Sequence, residues 1–137
     1  METLMNSNDI WSKIQETAED DYYSLSNEER IAFNIKNILD AVNGSGLLSF
    51  YKSYHGDFAI DAVDDLYSIG MDEIASILEN SNAIFPGGCP PEDTHSRLEI
   101  IDSWEHEYDS LFEQWTDDIL EFSAPLEKEF ERIISDL

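Results

Sequence analysis

Apolar residues recur at helical spacing almost everywhere along this chain. Ile10, Trp11, Ile14 and Ala18 share a face behind the cap candidates Ser7 and Asn8. Ser26-Asn27-Glu28-Glu29 reads as a capping box, in which the serine accepts from the helix backbone and Glu29 reaches back. Ile31, Ile35, Ile38, Leu39 and Val42 follow, and Gly44-Ser45-Gly46 stops that helix. A short segment from Leu47 to Tyr54 ends at Gly56. Asp57 is placed to cap the next helix, with Ala59, Ala62, Val63 and Leu66 inward and Gly70 closing it. Asp72 is placed to cap another, with Ile74, Ile77, Leu78 and Phe85 inward.

Pro86-Gly87-Gly88-Cys89-Pro90-Pro91 excludes both helix and central strand, and marks a surface loop between two helical halves. Beyond it, Leu98, Ile101, Trp104, Tyr108, Leu111, Trp115, Ile119 and Phe122 keep a helical stripe. One long helix, or two with a kink near Ser103, satisfies that stripe. Ser123-Ala124-Pro125 reads as a cap with proline in the first turn, and Leu126, Phe130, Ile133 and Ile134 face inward after it. No β-alternating segment exceeds a few residues, and no repeat is present. The expectation is an all-α, compact, non-repeat single domain of six to eight helices over residues 1–137, with the Pro/Gly loop at 86–91. Hydrophobic residues make up 42% of the 137, enough apolar surface to organise one core.

Charge then narrows the function. The chain carries 31 Asp+Glu against 7 Lys+Arg, a formal charge of -24. Between Lys52 and Lys128, 19 acidic side chains face one basic residue, Arg97. So one-sided a surface repels itself and costs folding stability. It repels anionic membranes and bare nucleic acid, and attracts basic proteins and cations. No apolar run approaches the ~20 residues of a membrane span. The start Met1-Glu2-Thr3-Leu4 lacks a signal-peptide pattern, and the one cysteine, Cys89, has no internal disulfide partner. These features point to the cytoplasm.

Catalytic chemistry is nearly absent. There is no Walker A loop, dinucleotide glycine fingerprint or HExxH. Nothing near Cys89 builds a triad with His95 or His106. His55, just before Gly56, reads as a helix C-terminal residue. Glu105-His106-Glu107 lacks ExxH spacing, because Ser103 precedes His106 by three. Asp64-Asp65 lacks a Ca²⁺-loop pattern. The expectation is a protein with no enzymatic activity, cofactor or built metal site. Trp104, Tyr108, Phe112 and Trp115 read as core packing; the alternative is an exposed ring cluster for a partner or a second copy.

What remains is the arrangement of carboxylates. Asp102, Glu105, Asp109, Glu113, Asp117 and Glu121 recur at intervals of three, then four throughout. On one helix they would line one side, ~6 Å apart along the axis. Like charges so placed destabilise a helix by ~0.2–0.5 kcal/mol per pair. Asp61, Asp64, Asp65, Asp72 and Glu73 form a second candidate patch. Phosphates of one DNA strand repeat with a rise of ~3.4 Å. A stiff row of carboxylates presents a comparable array of negative points to a groove built for phosphates.

From Leu25 to Pro86 the order of features resembles the bacterial DNA-mimic protein family. That family runs from a helix opened by Leu-Ser and an acidic/Arg turn, through a Val-Asn-Asn-Gly-Gly-Phe turn and a Gln-Tyr-Phe segment. An Asn-x-x-Gly break, an Ile-Gly and a Phe-Pro follow. Here these positions read Leu25-Ser26-Asn27-Glu28-Glu29-Arg30, Val42-Asn43-Gly44-Ser45-Gly46-Leu47, Ser49-Phe50-Tyr51, Ser53-Tyr54-His55-Gly56-Asp57, Ile69-Gly70 and Phe85-Pro86-Gly87. Asn-Gly-Gly has become Gly44-Ser45-Gly46, and the family's Gln and Asn are Ser49 and Ser53. The resemblance implies an all-helical fold and, for the DNA-mimic members, a dimer that occupies the DNA site of a transcription regulator. The expected partner is therefore a basic DNA-binding protein, either a regulator or a nucleoid protein, with the chain able to form a homodimer. Direct nucleic-acid and membrane binding are not expected. The alternative is an immunity or antitoxin-type protein masking a basic toxin or nuclease. A third reading, an enzyme with a carboxylate-bound metal, would require a stoichiometric ion.

Overall fold

Eight α-helices, three 3₁₀ turns and no strand make up the described residues, 6–137, of the computed structural model. The start at Met1-Glu2-Thr3-Leu4, and what was read from it, lie outside that range. In chain order the helices are α1 (Ser7–Asp21), α2 (Asn27–Asn43), α3 (Leu47–Tyr51), α4 (Ala59–Ser68), α5 (Asp72–Asn82), α6 (Thr94–Ser103), α7 (Asp109–Leu120) and α8 (Ser123–Asp136). The 3₁₀ turns are Tyr22–Ser24, Tyr54–Phe58 and Pro86–Gly88.

α2 is the axle. Ala32, Phe33, Ile35, Ile38, Leu39 and Val42 are all buried, so α2 faces neighbours on several sides. α1, α3, α4, α7 and α8 all pack against it. α5 lies on α4, α7 touches α2, α3 and α5, and α8 returns to α1 and α2. One apolar cluster consequently runs from Ile14 to Ile134. Each large side chain buried there contributes roughly 1.5–3 kcal/mol, which is how the chain tolerates its charge.

Helix starts follow the sequence pattern less closely than helix cores. The Ser26 capping box forms with both bonds, Glu29 N–H to Ser26 Oγ at 3.2 Å and Ser26 N–H to Glu29 Oε1 at 2.8 Å. Four other expected caps are corrected. Asn6 caps α1, accepting from the Asp9 N–H at 2.9 Å, while Ser7 and Asn8 lie inside the helix. Phe58, Met71 and Phe122 occupy the caps of α4, α5 and α8 without side-chain bonds. Asp72 and Ser123 are instead the first residues of their helices, and Pro125 does sit in the first turn of α8. At Asp72 the carboxylate still gains from the positive end of the helix dipole.

Asp57 is diverted from capping by Arg97. The guanidinium is fully buried, 2.7 Å from Asp57 Oδ1. It also donates to the carbonyls of Tyr51 (2.9 Å), Ser53 (2.7 Å) and Pro91 (2.7 Å). These bonds tie α6 to the Tyr54–Phe58 turn and to the end of the Pro/Gly loop. Gly56 makes room for this clamp: a Cβ there would lie 2.8 Å from the Phe50 carbonyl oxygen and 3.1 Å from Arg97 Nε. The single base of the acidic stretch is thus spent inside the core on Asp57 and the backbone, and pairs with no other carboxylate of that stretch.

His55 is not at a helix C-terminus. It lies in the Tyr54–Phe58 turn with its ring edge-on to Phe33, and burial lowers its pKa. The segment 86–91 is a loop apart from the single turn Pro86–Gly88.

Candidate functional site

The stripe that admitted one helix or two is two. α6 ends at Ser103 and α7 begins at Asp109. Between them Glu105 and His106 adopt left-handed backbone, with φ of 47° and 70°. That turn resets the helical phase. Leu111, expected inward, is exposed, and Phe112 takes the buried position against Tyr51, Trp104 and Trp115. Trp104, Tyr108 and Trp115 are half-buried around it, as core packing requires.

The break also divides the carboxylate row. Asp102 sits in the last turn of α6 and Glu105 in the left-handed turn. Asp109, Glu113 and Asp117 follow one another along α7, and Glu121 stands just beyond its end. The expectation of six carboxylates along one helix is therefore corrected: only three share α7, ~6 Å apart along its axis. All six are exposed. No Lys or Arg among the described residues pairs with any of them; His106 makes a hydrogen bond to one, with Nδ1 2.9 Å from Asp109 Oδ2.

α7 is electrostatically uncomfortable. Asp117 and Asp118 lie in its last turn, where the backbone dipole is negative, and no basic residue is there to offset them. Each misplaced charge of this kind costs roughly 0.3–1 kcal/mol. α7 is held in place by uncharged contacts instead. Phe112 and Ile119 are buried. The Leu47 N–H donates to Thr116 Oγ1 at 2.8 Å, and that hydroxyl donates on to the Phe112 carbonyl, also at 2.8 Å. Gly46 makes the approach with φ of 103°, and its Cα side faces Thr116. The Gly44-Ser45-Gly46 turn thus anchors the acidic helix. Ser49 and Ser53 close local turns by donating to the carbonyls of Gly46 and Phe50. Thr116 and Leu47 carried no sequence signal for this role, because a mid-helix threonine is ordinary.

The second candidate patch is only partly a patch. Asp65 is a correction: its side chain is 3% exposed and receives a bidentate bond from Arg30, the closest approach being 2.8 Å. Asn34 Nδ2 donates to it at 2.9 Å and also to the Tyr22 hydroxyl, which in turn donates to Asp61 at 2.9 Å. Burial, reinforced by Asp61, holds the Tyr22 hydroxyl well above its usual pKa. Asp61 and Asp65 therefore serve the interior of α2 and α4. Asp64, Asp72 and Glu73 remain exposed.

Beside the acidic row lies an open groove of about 460 Å³. Val42, Leu47, Leu48 and Phe112 line it, together with the Gly44–Gly46 turn, and Asp109, Glu113 and Lys52 edge it. A smaller recess of about 90 Å³ adjoins it, between Trp104, Tyr108, Asp102 and Glu105. Among the described residues no cluster of three or more His, Cys, Asp and Glu has metal-binding geometry, and no helix is long and apolar enough to cross a membrane.

A sequence model described as DMP19-like protein matches residues 23–135. The chain belongs to the DMP19-like family. This is a family of DNA-mimic proteins, and the match runs through α6, α7 and α8. It therefore includes the acidic helix, well beyond the motifs between Leu25 and Pro86. No curated protein and no solved structure matches the chain.

Proposed function

We propose that this DMP19-like chain is a non-enzymatic DNA mimic, which occupies the DNA-binding surface of a basic regulator or nucleoid protein. The observation that carries the reading is the face around α7. Its carboxylates are exposed, lack Lys or Arg partners and stand on a helix fixed by uncharged contacts. A protein that needed only solubility would gain by mixing signs here, since every like-charge neighbour costs stability. Asp102, Glu105, Asp109, Glu113, Asp117 and Glu121 act as phosphate surrogates in this reading. Asp64, Asp72 and Glu73 extend the negative field, while Asp61 and Asp65 keep their structural bonds. No single carboxylate is indispensable, because a field is the sum of its charges.

The test is capture from native cell extract at low salt, followed by elution with duplex DNA. Captured DNA-binding proteins released by DNA are the expected result. A captured enzyme that DNA leaves in place would contradict mimicry and favour the masking of a basic toxin.

A further inference from the structure

The groove beside α7 has the chemistry of a receptacle for one particular side chain. Its floor is apolar, from Val42, Leu47, Leu48 and Phe112, while its edge carries Asp109 and Glu113. The adjoining recess adds the half-buried rings of Trp104 and Tyr108 beside Asp102 and Glu105. Four carboxylates therefore meet one lysine, Lys52, and one histidine, His106, that is already bonded to Asp109.

An occupant must be cationic to suit the edge, yet must give up water to enter over the floor. A lysine ammonium is compact and strongly hydrated. A guanidinium is flat, weakly hydrated, stacks on aromatic rings and offers five donors to carboxylates on two sides. We propose that this groove receives an arginine side chain of the basic partner. An apolar stem would lie on Leu48, the partly exposed leucine of the floor, with the guanidinium between Asp109 and Glu113. The inference rests on the reading of the acidic face given above, and adds a fixed anchor point to a diffuse attraction. Arginines that grip DNA phosphates are the natural donors of such a side chain.

The test is amide NMR of the whole chain titrated with N-acetyl-arginine amide and, separately, N-acetyl-lysine amide at about 0.15 M salt, where diffuse attraction is largely screened. The expected result is saturable shifts centred on Leu47, Leu48 and Phe112, several-fold tighter for the arginine amide. The double variant Asp109→Asn with Glu113→Gln weakens that binding about tenfold. The pair Asp117→Asn with Glu121→Gln removes the same charge outside the groove and changes it by about twofold or less. Ser45→Trp plugs the groove without altering charge and abolishes binding. Lys52→Gln removes the one opposing lysine and strengthens binding about two- to threefold. Shifts scattered over all acidic surfaces, equal for the two amides and equally weakened by both double variants, would overturn the anchor. That outcome leaves the DNA-displacement test untouched, so the two readings fail separately.

Discussion

On α4, Asp61 and Asp65 are drawn into a network with Tyr22, Asn34 and Arg30. On α7, Asp109, Glu113 and Asp117 are exposed, and among the described residues no lysine or arginine forms an ion pair with them. The two runs have similar composition and nearby charge density, yet one is internal architecture and the other is display. The difference comes from what faces them. α2 offers α4 an arginine and an amide across a buried interface, so a carboxylate there gains hydrogen bonds that offset its lost hydration. α7 leaves Asp109, Glu113 and Asp117 exposed, with His106 bonded to Asp109, and keeps its place through Phe112, Ile119 and Thr116. Counting acids along a chain therefore overstates the surface available to a partner.

Substitutions sharpen this contrast. Asp65→Ala strands Arg30 and Asn34 and should cost about 3 kcal/mol in urea unfolding. That is the low end for a buried pair, because the Arg30 side chain is 32% exposed and reaches water. Thr116→Val leaves charge unchanged but removes both bonds that tie the Gly46 turn to α7. A loss of about 1 kcal/mol is expected, with weaker partner binding as the acidic row loses its fixed position. Glu113→Gln should act in the opposite sense. It relieves two like-charge neighbours on α7, Asp109 and Asp117, each worth ~0.2–0.5 kcal/mol. The variant should melt higher than the parent while holding a basic partner less tightly. Equal destabilisation by Asp65→Ala and Glu113→Gln would erase the distinction between the two helices.

Much of the fold was legible because burial follows period. Ile14, Ile35, Ile38, Leu66, Leu78, Ile101 and Ile134 all occupy the inward positions that spacing assigns them. The Ser26 box was legible because both of its partners are local. What spacing could not show were choices made by tertiary contacts. Arg97 claimed Asp57 from a distant segment, and Arg30 with Asn34 claimed Asp65. The left-handed turn at Glu105 and His106 is built from residue types that do not announce it, so the carboxylate row read as continuous. The family motifs between Leu25 and Pro86 were visible because turns demand particular residues. The C-terminal helices belong to the same family match but carry little beyond helical pattern.

The central claim is that exposed charge on α7, and not total acidity, drives association with a protein made for DNA. Its most direct measurement is the affinity of a captured DNA-binding partner across a salt series, for the parent chain and for the triple variant Asp109→Asn, Glu113→Gln, Asp117→Asn. The account predicts affinity that falls steeply with salt for the parent, and both weaker binding and a shallower fall for the triple variant. An affinity that stays flat with salt, or a triple variant that matches the parent at every concentration, would contradict it.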